Sequence, residues 1–408
     1  MLTVLASLLF ALAAIGTVSS TVFLILALLG ALKFHREAAR EAGSSATLSS
    51  EDLPPVSVLK PLHGLEPQLE ANLESFFVQD YPRFELIFGV DESSDAALPV
   101  AERVCSRHPQ IPSTILVTGL PPWPNPPAYS FSRMAEKAKY GILVTSDSDV
   151  LVARNYLRET VPPLLERNTG MLTCLYRGVN AGGFWSLLDA LGMSVEMSAG
   201  VLIANMLEGM KFGLGPTIVV RRDALNGIGG YRATGDYFSN DFIIGNLIAD
   251  CGYRVVLSRH VIDHVVPPMT FRRMWRRQLR WATGTKYSRP KGHFGTGLIF
   301  AVPYGLFGLA GFLLLHKPVL GCAILAWAVV NRLIECVAIG YGVTRDRQCL
   351  RKAWLYPARD LLGFCLWVGS YLVSSSKWRR GNFELVPGGK IVMREKEKFE
   401  PVSSNTLS

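Results

Sequence analysis

The sequence predicts an α/β domain on a mostly parallel sheet, framed by membrane-spanning helices at both ends of the chain. Three observations predict it. Residues 2–32 are almost wholly apolar, which exceeds the roughly 20 residues a helix needs to cross a bilayer. From residue 55 to about 265, short apolar runs alternate with helical patterns, the mark of strand–helix units and a parallel sheet. Three apolar segments then follow at about 294–315, 318–343 and 354–375, each long enough to span. Of the 408 residues, 49% are hydrophobic and 18% charged, too apolar for an ordinary soluble enzyme.

Residues 1–33 form the N-terminal anchor. No basic stretch precedes it and no clear cleavage site follows, so it reads as uncleaved. Lys33, Arg36 and Arg40 come directly after it and place the next segment in the cytoplasm. A polar linker, 34–54, leads into the 55–265 domain. Its expected strands are Val56–Leu59, Phe84–Val90, 114–117, 142–144, Met171–Leu175 and Thr217–Val220. Its expected helices are Leu65–Phe77, 96–107, one after the Pro-rich loop 119–127, and 154–166. The long apolar helix at 184–208 is expected against the membrane surface in preference to the core.

Residues 266–290 form an amphipathic interface region, 291–376 the C-terminal membrane helices, and 377–408 a cytosolic tail, disordered beyond Phe399. Arg332 and Glu335, three apart inside the second span, are expected to pair on one helix face or to line a lipid pocket. Three complete spans would carry Lys377–Arg380 to the far side, against the positive-inside rule. One segment is therefore re-entrant, or 184–208 joins the count. Net charge is +9, and the basic clusters at 33–40, 272–289, 345–352 and 377–380 lie beside apolar segments. That points to anionic lipid at the cytoplasmic face and away from nucleic acid. The seven cysteines, without a CxxC, suggest reduced thiols, with no disulfide frame or zinc site.

The chemistry-bearing stretch is YGILVTSDSDVLV, 140–152. An apolar strand runs into Asp147-Ser148-Asp149, and open α/β sheets bind ligands at the C-terminal ends of their strands. Asp-x-Asp offers hard oxygens to Mg²⁺ or Mn²⁺, which bind through one or two carboxylates plus substrate phosphates; the alternative is a solvated turn. A second acidic group, Asp91-Glu92-Ser93-Ser94-Asp95, also follows a strand, and the two groups are expected on the same edge. Asp241 falls near the first turn of a helix running to Ala249, where carboxylates are favoured without any chemistry. Met269–Tyr287 carries Arg272, Arg273, Trp275, Arg276, Arg277, Arg280 and Trp281. It suits the headgroup plane, and its guanidinium groups suit a pyrophosphate.

Taken together, this order of features resembles the ceramide glucosyltransferase family of membrane-bound GT-A glycosyltransferases, which is family 2-like and includes hopanoid-associated relatives. The resemblance covers roughly residues 55–385. It rests on VSVLKPLHGLEPQLEANLESFFVQDYP (56–82), on Arg277-Gln278-Leu279-Arg280-Trp281, and on Trp378-Arg379-Arg380-Gly381-Asn382-Phe383. It implies a Rossmann-like GT-A domain on the cytoplasmic face of a multi-pass integral membrane protein. A UDP-sugar is the implied donor and a membrane lipid, ceramide or hopanoid, the acceptor. Asp91, Glu92 and Asp95 are implied to hold the nucleotide, and Asp147 the nucleotide sugar, with Asp149 completing a pair for Mg²⁺ or Mn²⁺. Asp241 is implied as the catalytic base, with Asp236 as second choice. Arg277, Arg280 and Trp281 lie near the diphosphate and acceptor. Relatives often read Asn-Pro-Lys where this chain has Asn125-Pro126-Pro127, so a lysine contact is missing there.

The expected reaction is inverting transfer of a hexose to a lipid hydroxyl, UDP-glucose to ceramide giving glucosylceramide. Alternatives are N-acetylglucosamine transfer from UDP to a hopanoid polyol, a processive polysaccharide synthase, and a non-enzymatic lipid- or nucleotide-binding protein. The synthase class usually has Gln at the position of Arg277.

Overall fold

Strand β1 (Val56–Leu62) lies between β2 (Phe84–Val90) and the strand that ends at the aspartate pair. The computed structural model describes residues 2–45, 49–373, 375–378 and 381–393. β3 (Ser113–Val117) pairs parallel to β2, and β4 (Ile142–Ser146) pairs parallel to β1. The sheet continues through β5 (Val150–Leu151), β6 (Thr169–Asn180), β7 (Thr217–Arg221) and β8 (Arg254–Val266) in the order β3-β2-β1-β4-β7-β6-β8-β5. β7 runs antiparallel to β4 and β6, β5 runs antiparallel to β8, and β6 and β8 are parallel. The sheet is thus mixed and mostly parallel. β8, rich in Val and Ile, has no counterpart among the strands read from sequence.

Successive residues of a strand face opposite sides, and the two sides carry separate cores. Val56, Val58, Phe88 and Val144 pack with Leu73 and Phe76 of α2 (Leu69–Phe77) and Val104 of α3 (Leu98–Arg107). Leu59, Ile87, Leu143 and Val220 pack with Phe131 and Met134 of α4 (Pro126–Lys137). That second core extends to Ala27, Ala31 and Phe34 of the N-terminal helix α1 (Leu2–Ser45). The expected 154–166 helix is split into Tyr156–Thr160 and a 3₁₀ turn at Pro162–Leu165, because Pro162 and Pro163 cannot donate to a continuing helix.

The apolar helix at 184–208 corrects the surface expectation. It forms α5 (Phe184–Leu207), and 67% of its apolar window is buried inside the molecule. Leu188, Leu191, Val195 and Leu202 join the core that faces the sheet. A Cβ at Gly30 of α1 would come within 3.0 Å of the Leu202 carbonyl, so α1 and α5 cross at close range. Beyond β7 come α6 (Asn240–Asp250) and, after β8, α7 (Phe271–Ser288).

The three expected C-terminal spans are also corrected. The first breaks into a short helix at Pro290–Thr296 and α8 (Val302–Leu314). Only α9 (Pro318–Tyr341) joins Val4–Ala38 and α5 among the described helices long and apolar enough to cross a membrane. α10 (Tyr356–Tyr371) has 16 residues. The break has a cause. Asp360 of α10 accepts the backbone N–H groups of Ala301 and Val302 (3.0 and 2.8 Å) and so caps a new helix start. Asp360 also lies 3.4 Å from buried Arg332, which pairs with Glu335 at 2.6 Å. The expected Arg332–Glu335 pair on one helix face is therefore present. Finally, the segment read as a tail contains a three-stranded antiparallel sheet of β9 (Ser375–Trp378), β10 (Gly381–Val386) and β11 (Lys390–Met393). Arg379, Arg380 and the stretch beyond Phe399 lie outside the described residues.

Candidate active site

β1, β2 and β4 are neighbours and parallel, so the acidic groups at 91–95 and 147–149 leave the same sheet edge, as expected. The turn after β4 is held from below. Lys60, buried in β1, donates to the Asp147 carbonyl at 2.7 Å and lies 3.4 Å from Ser146 Oγ. Its Nζ sits 3.8 Å from the centre of the Phe76 ring. Asn72 Nδ2 donates to the Ser148 carbonyl at 3.1 Å. Burial lowers the Lys60 ammonium to about 7, even with Asp147, Asp149 and Glu66 acting to raise it.

The two aspartates are partly buried and close enough to repel. Burial and then Asp149 push the Asp147 carboxyl well above the usual carboxylate range, with Lys60 opposing. Asp149 Oδ2 lies 3.3 Å from His264 Nε2, while Asp149 Oδ1 is buried with no hydrogen-bond partner among the described residues. An orphaned buried carboxylate oxygen beside a second carboxylate is a fit for a divalent cation. Among the described residues no three His, Cys, Asp or Glu side chains form a ready cage. The chain therefore offers two carboxylates, and phosphate oxygens would complete the set.

His264 on β8 links this pair to α7. Arg277 Nη2 lies 3.1 Å from His264 Nε2, and Arg277 Nη1 lies 3.7 Å from Asp189 Oδ2 of α5. Gln278 donates to the other oxygen of Asp189. The Arg277 guanidinium stacks 4.7 Å over the Trp281 ring, and Trp281 packs against Ala190, Met193 and Val266. Arg280 follows on α7, partly buried. Burial lowers the His264 imidazole, opposed by Asp149 and aided by Arg277.

Asp241 occupies the first turn of α6. Its carbonyl accepts the Gly213 N–H at 3.0 Å, and the N–H groups of Phe242 and Gly215 bond its carboxylate. A Cβ at Gly215 would lie 3.1 Å from Asp241 Oδ2, so the loop passes close to the carboxylate. Burial still raises the Asp241 carboxyl above its ordinary value. Tyr176 on β6 marks the common ground. Burial first, then the fields of Asp241, Asp189 and Asp147, hold its phenol protonated, while Arg277 opposes. Asp147, Asp149, Asp241 and Arg277 therefore share one neighbourhood.

The remaining predicted residues are placed differently. Asp95 accepts the N–H groups of Gly64 and Ala97, both at 2.8 Å, and faces His63 at 3.5 Å; it ties the loop after β1 to the loop after β2. Asp91 is partly buried and Glu92 exposed at that edge. Asp236 pairs with Arg232 at 3.1 Å and is about half exposed. Asn125 caps α4 through the Ala128 N–H and reaches across to the Tyr237 carbonyl at 2.7 Å. Lys60, Tyr176, Asp189 and His264 were not singled out from sequence. The arrangement provides a cation-seeking carboxylate pair, a guanidinium beside it, and a carboxylate of raised basicity nearby.

A family model described as glycosyl transferase family 21 matches residues 9–391. Ceramide glucosyltransferase 1 of Caenorhabditis elegans is 24% identical over 348 residues, 83% of this chain and 73% of that one. Ceramide glucosyltransferase of Komagataella phaffii is 34% identical over 113 residues, 27% of this chain and 22% of that one. Among solved structures, a mannosyltransferase from Pyrobaculum calidifontis in complex with GDP-Man and Mn²⁺ superposes with a TM-score of 0.50 at 18% identity. It covers 88% of this chain and 98% of its own. That likeness concerns the fold, which is of the GT-A type.

Proposed function

From its membership of glycosyl transferase family 21, to which the chain belongs, we propose that this glycosyltransferase moves glucose from UDP-glucose to the primary hydroxyl of ceramide. The reading is supported most by one observation: the charges of Asp147, Asp241 and Arg277 all act on Tyr176, and Asp149 acts on Asp147 beside them beyond the end of β4. Relatives named ceramide glucosyltransferase support the choice of lipid and sugar.

Asp149 and Asp147 would hold Mg²⁺ or Mn²⁺, as the orphaned oxygen of Asp149 favours, and such an ion would offset charge on the leaving diphosphate. Arg277 offers its guanidinium to the same phosphates. Asp91 and Glu92 flank the nucleotide, and Arg280 and Trp281 face the diphosphate and acceptor. Asp241 takes the proton of the lipid hydroxyl while that oxygen attacks the anomeric carbon and the bond to the diphosphate breaks. A positioned base of this kind contributes roughly 10²–10⁴-fold. Single displacement inverts the anomeric centre, so an α-linked donor gives a β-glycoside. The catalytic domain lies on the cytoplasmic face, the side favoured by Lys33 and Arg36 near the C-terminal end of the first span.

The test is transfer by the detergent-purified full chain. Radiolabelled UDP-glucose and UDP-N-acetylglucosamine are each offered with ceramide, diacylglycerol or a hopanoid polyol, with Mn²⁺ or Mg²⁺ and then with EDTA. Metal-dependent label on ceramide from UDP-glucose supports the reading. Label only on the hopanoid from N-acetylglucosamine moves the substrates but keeps the mechanism. No lipid product from any pair refutes it.

A further inference from the structure

The segment that leads into Asp241 is gripped from two sides. On one side the Pro-rich loop holds it, through Asn125 N–H to the Gly235 carbonyl (2.9 Å) and Asn125 Nδ2 to the Tyr237 carbonyl (2.7 Å). On the other side lies the hairpin of β10 and β11. Phe238 N–H donates to the Gly389 carbonyl at 2.9 Å, and Ile391 N–H donates to the Asp236 carbonyl at 2.8 Å. Tyr237 forms an antiparallel bridge with Lys390. The hairpin is in turn seated on α7, where Gly388 N–H donates to the Tyr287 carbonyl at 3.1 Å. Phe238 packs with Tyr287, Leu385 and Ile391. It lies so close to α7 that a Cβ at Gly284 would come within 2.5 Å of its ring.

We propose that the C-terminal hairpin is a brace for the catalytic base. Gly389, Ile391 and Phe238 are positioning residues that fix the entry to α6, and hence Asp241, relative to the arginine-bearing helix α7. The inference rests on the assignment of Asp241 as base. It gives the β10–β11 hairpin a part in turnover although it touches no reacting atom. Gly389 is the sensitive point. Its φ is +78°, a backbone conformation that strains any residue but glycine, and an added Cβ would meet Ser288 Oγ at 2.4 Å and Ser288 Cβ and Cα at 3.2 and 3.3 Å, so a side chain there crowds the seat of the hairpin on α7.

The experiment uses three variants of the full-length chain. Gly389→Ala and Ile391→Asp disturb the seat. Val392→Ser, on a residue 48% exposed, is the control. Turnover per bound nucleotide and hydrogen exchange at residues 236–244 are measured together. The brace predicts a loss of about 10-fold or more in turnover for the first two variants, with UDP-sugar affinity within about two-fold of the wild type. Exchange at 236–244 should be faster, and Ser288→Ala added to Gly389→Ala should recover part of both. Wild-type exchange and turnover in Gly389→Ala and Ile391→Asp overturn the proposal, as does a loss of nucleotide binding in step with turnover, which marks general unfolding. If the wild type transfers nothing to any lipid, the functional reading fails while the exchange data still decide the brace.

Discussion

A single methyl group at Gly245 should disable the enzyme without touching the site. Gly245 lies one turn beyond Asp241 on α6, on the face packed against the loop at 212–213. A Cβ there would stand 2.4 Å from Phe212 Cα and 2.6 Å from Gly213 N. These are backbone atoms, so no side chain can swing away. A normal carbon–carbon contact is about 3.5 Å, so Gly245→Ala drives α6 off the loop by roughly 1 Å. The same loop supplies the Gly213 N–H to the Asp241 carbonyl, and that hydrogen bond stretches with it. Misplacement by about 1 Å can cost about 10²-fold in rate, and overpacking of this kind costs about 1–3 kcal/mol of stability. Steady-state transfer should show a kcat lower by about 10²-fold with donor affinity nearly unchanged, because Asp147, Asp149 and Arg277 lie on other elements. A kcat within two-fold of the wild type in a folded variant would refute the argument that α6 positions the base.

Other expected outcomes follow from the same geometry. Asp149→Ala should abolish the stimulation of transfer by Mn²⁺ and weaken UDP-sugar binding, read by titration calorimetry with and without the metal. Arg332→Met leaves Glu335 and Asp360 buried without their cation, and breaking such a group costs about 3–5 kcal/mol; a thermal melt in detergent should show a markedly lower midpoint. The raised Asp241 carboxyl sets two pH effects. The base works only when ionised, so the acid limb of kcat should lie above the ordinary carboxylate value near ~4. In addition, the folded chain binds more protons than the unfolded chain between the ordinary and raised values, so this group's contribution to stability falls as pH rises through that window. Asp241→Asn should therefore be more stable than the wild type at neutral pH and lose that advantage at low pH, checked by melts across the range.

Much of the fold was legible because the apolar runs are short, regularly spaced and broken by charge. Ile142–Val144 followed by Asp147 and Asp149 marks both the strand and the acidic turn that ends it. What sequence concealed has physical reasons. Asp189 sits inside an apolar helix that reads as membrane-facing, and only the fold brings Gln278 and Arg277 to it. His264 lies in a strand whose β-branched residues at 255, 256, 261 and 262 are a usable strand signal, interrupted by the polar run at 258–260. The C-terminal hairpin announced itself in Pro387-Gly388-Gly389 between short apolar runs, a turn pattern obscured by the polar stretch beyond it. α8 looked long enough to span because the run of apolar residues continues across the break; the carboxylate of Asp360 that caps the new helix start comes from a segment almost 60 residues away.

Asp241→Asn, compared with wild type for both UDP-glucose binding and lipid transfer, decides whether Asp241 is the base. Binding should stay within about two-fold of the wild type and turnover should fall by roughly 10²–10⁴-fold, the contribution of a positioned base. Near-normal turnover in this variant would contradict that role and remove Asp241 from the mechanism.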